Sequence, residues 1–200
     1  MNIEEEKYTS QLQKVINAYF RLTENTWTLI LSILQFQLIK KGEIILRAGQ
    51  TAKKIHFVSK GMLRSSFIDN NGNEYTKNLF LENSFAASKV SLLLNSSSKF
   101  SIEALEDSTL ISFDFKAFKK LVNKNEDLKN FYIAYIEQNW IIEKEQKEIS
   151  LVMENGTERY LKLLKKHPRI EERIPQHYLA SHLGITPTQL SRIRKTLKNS

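Results

Sequence analysis

Between residues 42 and 114 the hydrophobic pattern excludes long helices. The runs "GEIILRAG", "KIHFVSKG", "MLRSSFIDNNGNEYTKNLF" and "KFSIEALEDSTLISFD" are short and rich in β-branched and aromatic residues. They are broken by Gly42, Gly49, Gly61 and a turn at residues 69–73. Short strands at close spacing, with turn signals between them, predict an antiparallel sandwich, barrel or roll. Tight hairpin turns often need φ > 0, which glycine adopts without a Cβ clash. With 200 residues, 41% hydrophobic and 26% charged, the chain can build a core and is not a disordered composition.

Helical periods flank the β-rich part. Residues 8–36 alternate apolar and polar at helical spacing, and Thr23 before Glu24 starts a second helix through Trp27, Ile30, Leu31 and Leu34. From about Asn125 a longer helical period begins. Leu128, Tyr132, Tyr135, Asn139, Ile142, Gln146, Ile149 and Met153 are spaced alternately four and three apart, a heptad seam flanked by charge. Such a stripe can pack on the chain's own sheet, as helix faces usually do. Its length, and the polar Asn139 and Gln146 that would fix register between two helices, favour a partner helix and hence a homodimer. Asn155-Gly156 is expected to end this helix in left-handed geometry, and Thr157 to cap the next, "RYLKLLKKH", which stops before Pro168.

The charge changes character at the same place. Residues 156–200 carry ten Lys and Arg against three Asp and Glu, whereas residues 1–155 carry twenty against nineteen. A nearly neutral larger part and a basic C-terminal quarter suggest separate tasks, with a polyanion as the partner of the second. The absence of cysteine excludes disulfides, thiolate zinc sites and cysteine-held iron–sulfur clusters, and fits a cytoplasmic location. The start, "MNIEEEKYTSQLQKV", lacks the apolar core of a secretory signal. No stretch approaches the roughly 18 apolar residues of a membrane span, so no membrane partner is expected.

The stretch "YLASHLGITPTQLSRIRK" has the spacing of a helix-turn-helix. Ala180 supplies the small residue that lets two helices cross closely, and Gly184, four residues on, supplies the turn. Leu179, Leu183, Ile185, Leu190 and Ile193 supply the apolar contacts. Thr186 can cap the second helix, with Pro187 at its first position, where a missing N–H costs nothing. Thr188, Gln189, Ser191, Arg192, Arg194 and Lys195 are left on the outer faces, and no acidic residue occurs from Thr186 to Ser200. Hydroxyl, amide and guanidinium groups bond base edges and phosphates, so Thr186, Thr188, Gln189, Ser191, Arg192, Arg194 and Lys195 are the candidate DNA contacts. A purely structural hairpin would carry mixed charge there. A two-fold dimer would present two such helices to successive major grooves of a palindromic double-stranded site.

The order of these parts resembles the cyclic-AMP receptor protein/FNR (CRP/FNR) family of bacterial transcription regulators. "KKGEIILRAGQTAKKIHFVSKGMLRSSF" is similar to the family's roll, and "RIPQHYLASHLGITPTQLSRIRK" to its reading hairpin. The resemblance implies an α+β chain in three parts. Residues 1–124 would form a cyclic-nucleotide-binding-like antiparallel β-roll (a double-stranded β-helix or jelly roll) flanked by helices. Residues 125–155 would be a long dimerisation helix, and 156–200 a winged-helix or helix-turn-helix DNA-binding domain. It assigns base contacts to Thr188, Gln189 and Arg192, while Pro187 stands where some members have a base-reading arginine. It also implies RNA polymerase as a further partner.

The same resemblance places an effector pocket at Phe85, Ala87, Ser88, Ser98 and Lys99. Members that bind cyclic nucleotide carry Gly-Glu, then about ten residues on an arginine. The glutamate takes the ribose hydroxyl, and the arginine and backbone N–H groups hold the phosphate. Here Ala87-Ser88 and Ser98 stand at those places, and Lys99 lacks the bidentate fork. Cyclic AMP and cyclic GMP are therefore not expected, and the pocket is empty or takes another small molecule. No metal is expected either. His56 reads as a packed or surface strand residue, His167 ends a helix, and His177 and His182 are five apart. No P-loop, nucleophile elbow, zincin motif or paired carboxylates point to an enzyme. The competing expectation is a small-molecule-sensing module that acts through protein contacts, with a degenerate hairpin.

Overall fold

A computed structural model describes residues 3–198, so the outermost residues of the expected units 1–124 and 156–200 lie outside the described residues. Helices α1 (Ile3–Tyr19) and α2 (Glu24–Leu31) form the first corner. Thr23 caps α2 by accepting from the Thr26 N–H at 3.3 Å. Eight strands follow: β1 (Gln35–Ile39), β2 (Ile44–Leu46), β3 (Lys54–Lys60), β4 (Leu63–Ile68), β5 (Glu74–Phe80), β6 (Phe85–Ala86), β7 (Ser101–Ala104) and β8 (Ser108–Asp114). A short helix, α3 (Lys89–Leu94), lies between β6 and β7. The strands form two antiparallel four-stranded sheets, ordered β1-β8-β3-β6 and β2-β7-β4-β5. The quoted β-rich runs became β2 to β5, β7 and β8. Strand β1 starts at the end of the stretch expected to be helical, residues 8–36, and β6 is too short to show a period.

Gly61 shows why the turns need glycine. Its φ is +92°, and an added Cβ would stand 2.3 Å from the Ser108 hydroxyl on the neighbouring strand. Strands β3 and β8 of the β1-β8-β3-β6 sheet are buried on both faces. On one face His56 and Ser112 sit among Val58 and Leu110, all buried, and His56 Nδ1 lies 2.7 Å from the Ser112 hydroxyl. On the other face the rings of Phe85 and Phe113 meet helices α4 (Phe115–Lys124) and α5 (Glu126–Ile136). Phe113 contacts Phe118 and Phe85 contacts Tyr135, each pair at 5.2 Å between centroids. Helix α4, capped by Asp114, was not foreseen.

Helix α5 continues into a π-helical stretch, Glu137–Ile142, and then α6 (Glu143–Met153). This splits the expected dimer seam. Leu128 is fully buried in the chain's own core. Tyr132 packs on Phe118 and Tyr135 on Tyr19, and the Asn139 amide donates to the Tyr19 hydroxyl at 3.0 Å. Those four residues make contacts within the chain, since heptad spacing reports an apolar side without saying whose surface covers it. Ile142, Gln146, Ile149 and Met153 lie beyond the domain edge and are exposed. The extra residue in each π turn also shifts their phase relative to the first half.

The remaining chain forms α7 (Gly156–Lys166), α8 (Ile170–Arg173), α9 (Gln176–His182) and α10 (Pro187–Lys198). Asn155, not Thr157, caps α7, with φ −77° rather than left-handed geometry. Its side chain accepts from the Thr157 and Glu158 N–H groups, and Glu158 accepts in return from its N–H. No strand follows Asp114 among the described residues, which corrects the expected wing. In α8, Ile170 is buried and Arg173 pairs with the roll.

The burial of His56 sets a pH dependence. Burial first, and Lys54 second, lower its pKa from 6.5 to about 4. A base whose folded pKa is depressed binds protons preferentially when unfolded, so its stability contribution is full above pH 6.5 and lost as pH falls towards 4. Each tenfold change in proton affinity is worth about 1.4 kcal/mol, so urea titrations at pH 7 and pH 4 should show the wild type losing about 3 kcal/mol more than His56→Gln. Equal losses would show that His56 is not the titrating group.

Candidate nucleic-acid interface and effector pocket

Helices α9 and α10 meet at a turn through Gly184, whose φ is +67°. The Ile185 N–H returns to the Ala180 carbonyl at 3.0 Å, which closes the end of α9 around the glycine. Ala180 and Leu190 are fully buried where the helices cross. Thr186 caps α10 by accepting from the Gln189 N–H at 3.1 Å, while the Gln189 side chain accepts from the Thr186 N–H at 2.8 Å. Both residues are exposed but engaged in this reciprocal box, so neither stands free. The Thr-x-x-Gln spacing announces the box in the sequence, although the amide was assigned to base contact.

The other expected DNA contacts divide. Thr188, Ser191, Arg192 and Lys195 are exposed, and neither Arg192 nor Lys195 makes an ion pair among the described residues. Arg194 is corrected: its Nε pairs with Glu171 at 2.7 Å, and the Tyr160 hydroxyl donates to the same carboxylate. Arg194 thus ties α10 to α7 and α8. Beside the exposed group runs an open groove of about 490 Å³, which Gln176, His177 and Pro187 line together with Thr188, Ser191 and Arg192. Gln176 and His177 were missed, since their helix was read only as the support of the hairpin.

The hairpin is seated on the roll. Met62 and Leu105 of the roll share one core with Tyr160, Ile170, Ile174, Leu179, Leu183 and Leu190. Arg64 of β4 is only 2% exposed. Its guanidinium pairs with Glu103 and, at 2.6 Å, with Glu74, and its Cζ lies 3.4 Å from the centre of the Tyr178 ring on α9. The Ser181 hydroxyl of α9 accepts from the β5 N–H of Thr76 at 2.8 Å. Arg173 forks between Glu82 and Glu106 at 2.7 and 2.9 Å, and hydrogen bonds to both raise its pKa. Burial works to raise the Glu82 carboxyl, but the bonds from Arg173 outweigh it and hold the group below its ordinary value. His182 ends α9 with a buried, unpartnered Nδ1, and burial first lowers its pKa to about 3.

The five expected effector residues are not brought together. Ser88 and Ser98 are buried and hydrogen bonded to each other at 2.9 Å, and Ser98 Oγ lies 2.7 Å from the Phe100 carbonyl. The nearby backbone is also satisfied: the Gly49 N–H donates to Ser98 O and the Ala52 N–H to Ser91 Oγ. Lys99 is exposed to solvent. Ala87 and Phe85 instead line a second space, under α4 and α5. Ser88 and Ser98 offer neither a carboxylate for a ribose nor a guanidinium for a phosphate, and their hydroxyls are committed to each other. These residues do not fit a cyclic nucleotide. Among the described residues no group of three His, Asp or Glu side chains is placed to hold a metal, and no helix is long and apolar enough to cross a membrane.

Residues 36–125 match the cyclic nucleotide-binding domain family. No curated protein matches the chain in sequence. FixK2 from Bradyrhizobium japonicum has a similar structure (TM-score 0.71, 16% identity, 84% of this chain and 85% of that one). So has CLP, the c-di-GMP-responsive global regulator of Xanthomonas campestris (0.68, 15%, 88% and 92%). A crp/fnr-family transcriptional regulator from Eubacterium rectale is also similar (0.64, 20%, 88% and 84%). The chain thus has a domain of cyclic nucleotide-binding type within the fold of CRP/FNR regulators.

The seat of the hairpin is testable by hydrogen exchange. Arg173→Ala leaves Glu82 and Glu106 facing each other without their cation. Amides of residues 176–195 should then exchange at least about tenfold faster, while β3 and β8 keep their protection. Unchanged exchange in 176–195 would mean that the fork does not hold the hairpin.

Proposed function

We propose that the chain is a dimeric, sequence-specific DNA-binding transcription regulator of CRP/FNR type that does not respond to cyclic AMP and is not an enzyme. The observation that carries this reading is the free outer face of α10. Thr188, Ser191, Arg192 and Lys195 stand exposed on a helix whose opposite side is fixed by Leu190, the Thr186–Gln189 cap and the Arg194–Glu171 pair. A rigid helix that presents hydroxyls and unpaired cations suits the major groove, with Arg192 directed to base edges and Lys195 to phosphate. Gln176 and His177, at the start of α9, border the same groove and are suited to the neighbouring backbone. Fold neighbours that include the regulator CLP and the crp/fnr-family regulator from Eubacterium rectale support the same reading.

Dimerisation rests on the second half of the seam. Ile142, Ile149 and Met153, with Ile141 beside them, are 44–77% exposed, large apolar side chains that the same segment of a second copy would cover. The paired serines support the absence of a cyclic-nucleotide response, and a cytoplasmic regulator acting on double-stranded DNA follows from the rest.

Mobility-shift titrations over a salt series test the reading. The double variant Arg192→Ala/Lys195→Ala should bind promoter DNA at least about tenfold more weakly, with the slope of log K against log salt reduced by about 2, or ~0.9 for the Lys195 phosphate contact of each of two copies. Tight, equally salt-sensitive binding by that variant would remove α10 as the reading helix.

A further inference from the structure

Between the Phe85–Phe113 face of the β1-β8-β3-β6 sheet and helices α4 and α5 lies a cavity of about 30 Å³, room for little more than a water or two. Its walls are aromatic: Phe85, Phe113, Phe118, Phe131 and Tyr135 among them. It is closed by two side chains with unused polar capacity. The indole N–H of Trp140, in the π-helical stretch, is buried without a hydrogen-bond partner. The Tyr135 hydroxyl is near enough to that N–H to interact with it, without making a hydrogen bond that satisfies it. Lys89, at the start of α3, holds its ammonium 4.7 Å from the centre of the Trp140 ring, and no carboxylate lies within ion-pair distance among the described residues. Burial chiefly lowers its pKa to about 8, with the Glu143 carboxylate working against that shift and Lys77 adding to it. The space lies on the sheet face opposite His56 and Ser112, away from the paired Ser88 and Ser98.

A buried N–H donor and a desolvated ammonium at the mouth of an apolar cavity are each costly when unmatched. One singly charged acceptor group would satisfy both. A dianion would leave a negative charge uncompensated among phenyl rings, and a neutral apolar molecule would leave both donors unused. The walls favour a flat ring, which meets several phenyl edges at once. The Trp140 ring is held by the Lys89 contact and by no hydrogen bond, and it sits where the helix departs from α geometry, so it can move aside to admit a body larger than the resting cavity.

We propose that this space is a binding site for a small aromatic monocarboxylate, its ring among Phe85, Phe113 and Phe131 and its carboxylate on the Lys89 ammonium and the Trp140 indole N–H. The inference names an effector class for the regulator proposed above, but the binding itself requires no DNA.

Calorimetric titration of the full-length protein with phenylacetate, and with the neutral phenylacetamide, tests it. Phenylacetate should bind saturably, with affinity declining above pH 8 as Lys89 loses its proton. Phenylacetamide should bind at least about tenfold more weakly, and so should phenylacetate to Lys89→Met, while the exposed Lys99→Met binds like wild type. A thermal melt of Lys89→Met within a few degrees of wild type establishes that it is folded. Should that variant melt early, Trp140→Phe, which keeps a ring and removes the N–H, carries the same comparison. No saturable heat with phenylacetate at millimolar concentration, or equal affinity for the acid and the amide, overturns the site. Because no DNA is present, that failure leaves the DNA-reading proposal standing, and a failed mobility shift leaves this one standing.

Discussion

Arg64 sits 2% exposed between the roll and the C-terminal hairpin, and a guanidinium so far from water demands compensation on every side. Glu103 and Glu74 neutralise it, Thr76 accepts a further bond from it at 3.3 Å, and the Tyr178 ring covers its face. Three of these partners lie in the roll and one on α9. The roll therefore neutralises the charge and the seated hairpin covers its face, so that sheet and hairpin share one desolvated centre. Arg173 repeats the arrangement in reverse, with a cation of α8 held by two carboxylates of the roll. Replacing either arginine by a neutral residue would leave partly exposed carboxylates without their cation, so the pairs specify where the hairpin sits more than they add stability.

That seating divides the charges of the basic quarter into two kinds. Arg173 and Arg194 look inward and hold α8 and α10 in place, whereas Arg192 and Lys195 look outward with nothing to hold. A helix fixed on one side and unpaired on the other is pre-organised for a polyanion, because no internal ion pair must be broken first. In the roll, Ser88 and Ser98 present neither a carboxylate nor a guanidinium. Ser88 and Ser98 satisfy each other, while the indole N–H of Trp140 is buried without a partner.

The sequence carried much of this architecture and little of its wiring. Glycines at positive φ and short β-rich runs marked the roll, since tight turns leave a local signature. Thr186, Pro187, Gly184 and Ala180 marked the hairpin for the same reason. Helix α4 went unread although Asp114 caps it, and β1 was absorbed into a helical period that the chain abandons after Leu31. The seam was half legible: Leu128, Tyr132 and Tyr135 have heptad spacing because they cover their own sheet, and the spacing is blind to that. The Arg194–Glu171, Arg173–Glu82 and Lys89–Trp140 contacts join residues far apart in the chain. Such pairs exist only once the fold has formed, so no spacing rule announces them.

The proposed presentation of two α10 helices to DNA by two copies of the chain is measured most directly by selection. Fragments bound from a random double-stranded library are recovered and sequenced. The predicted result is enrichment of a two-fold symmetric site whose half-site centres lie about 10 base pairs apart, one turn of the duplex. Recovery of the input library without enrichment, or of single unpaired half-sites, would contradict it.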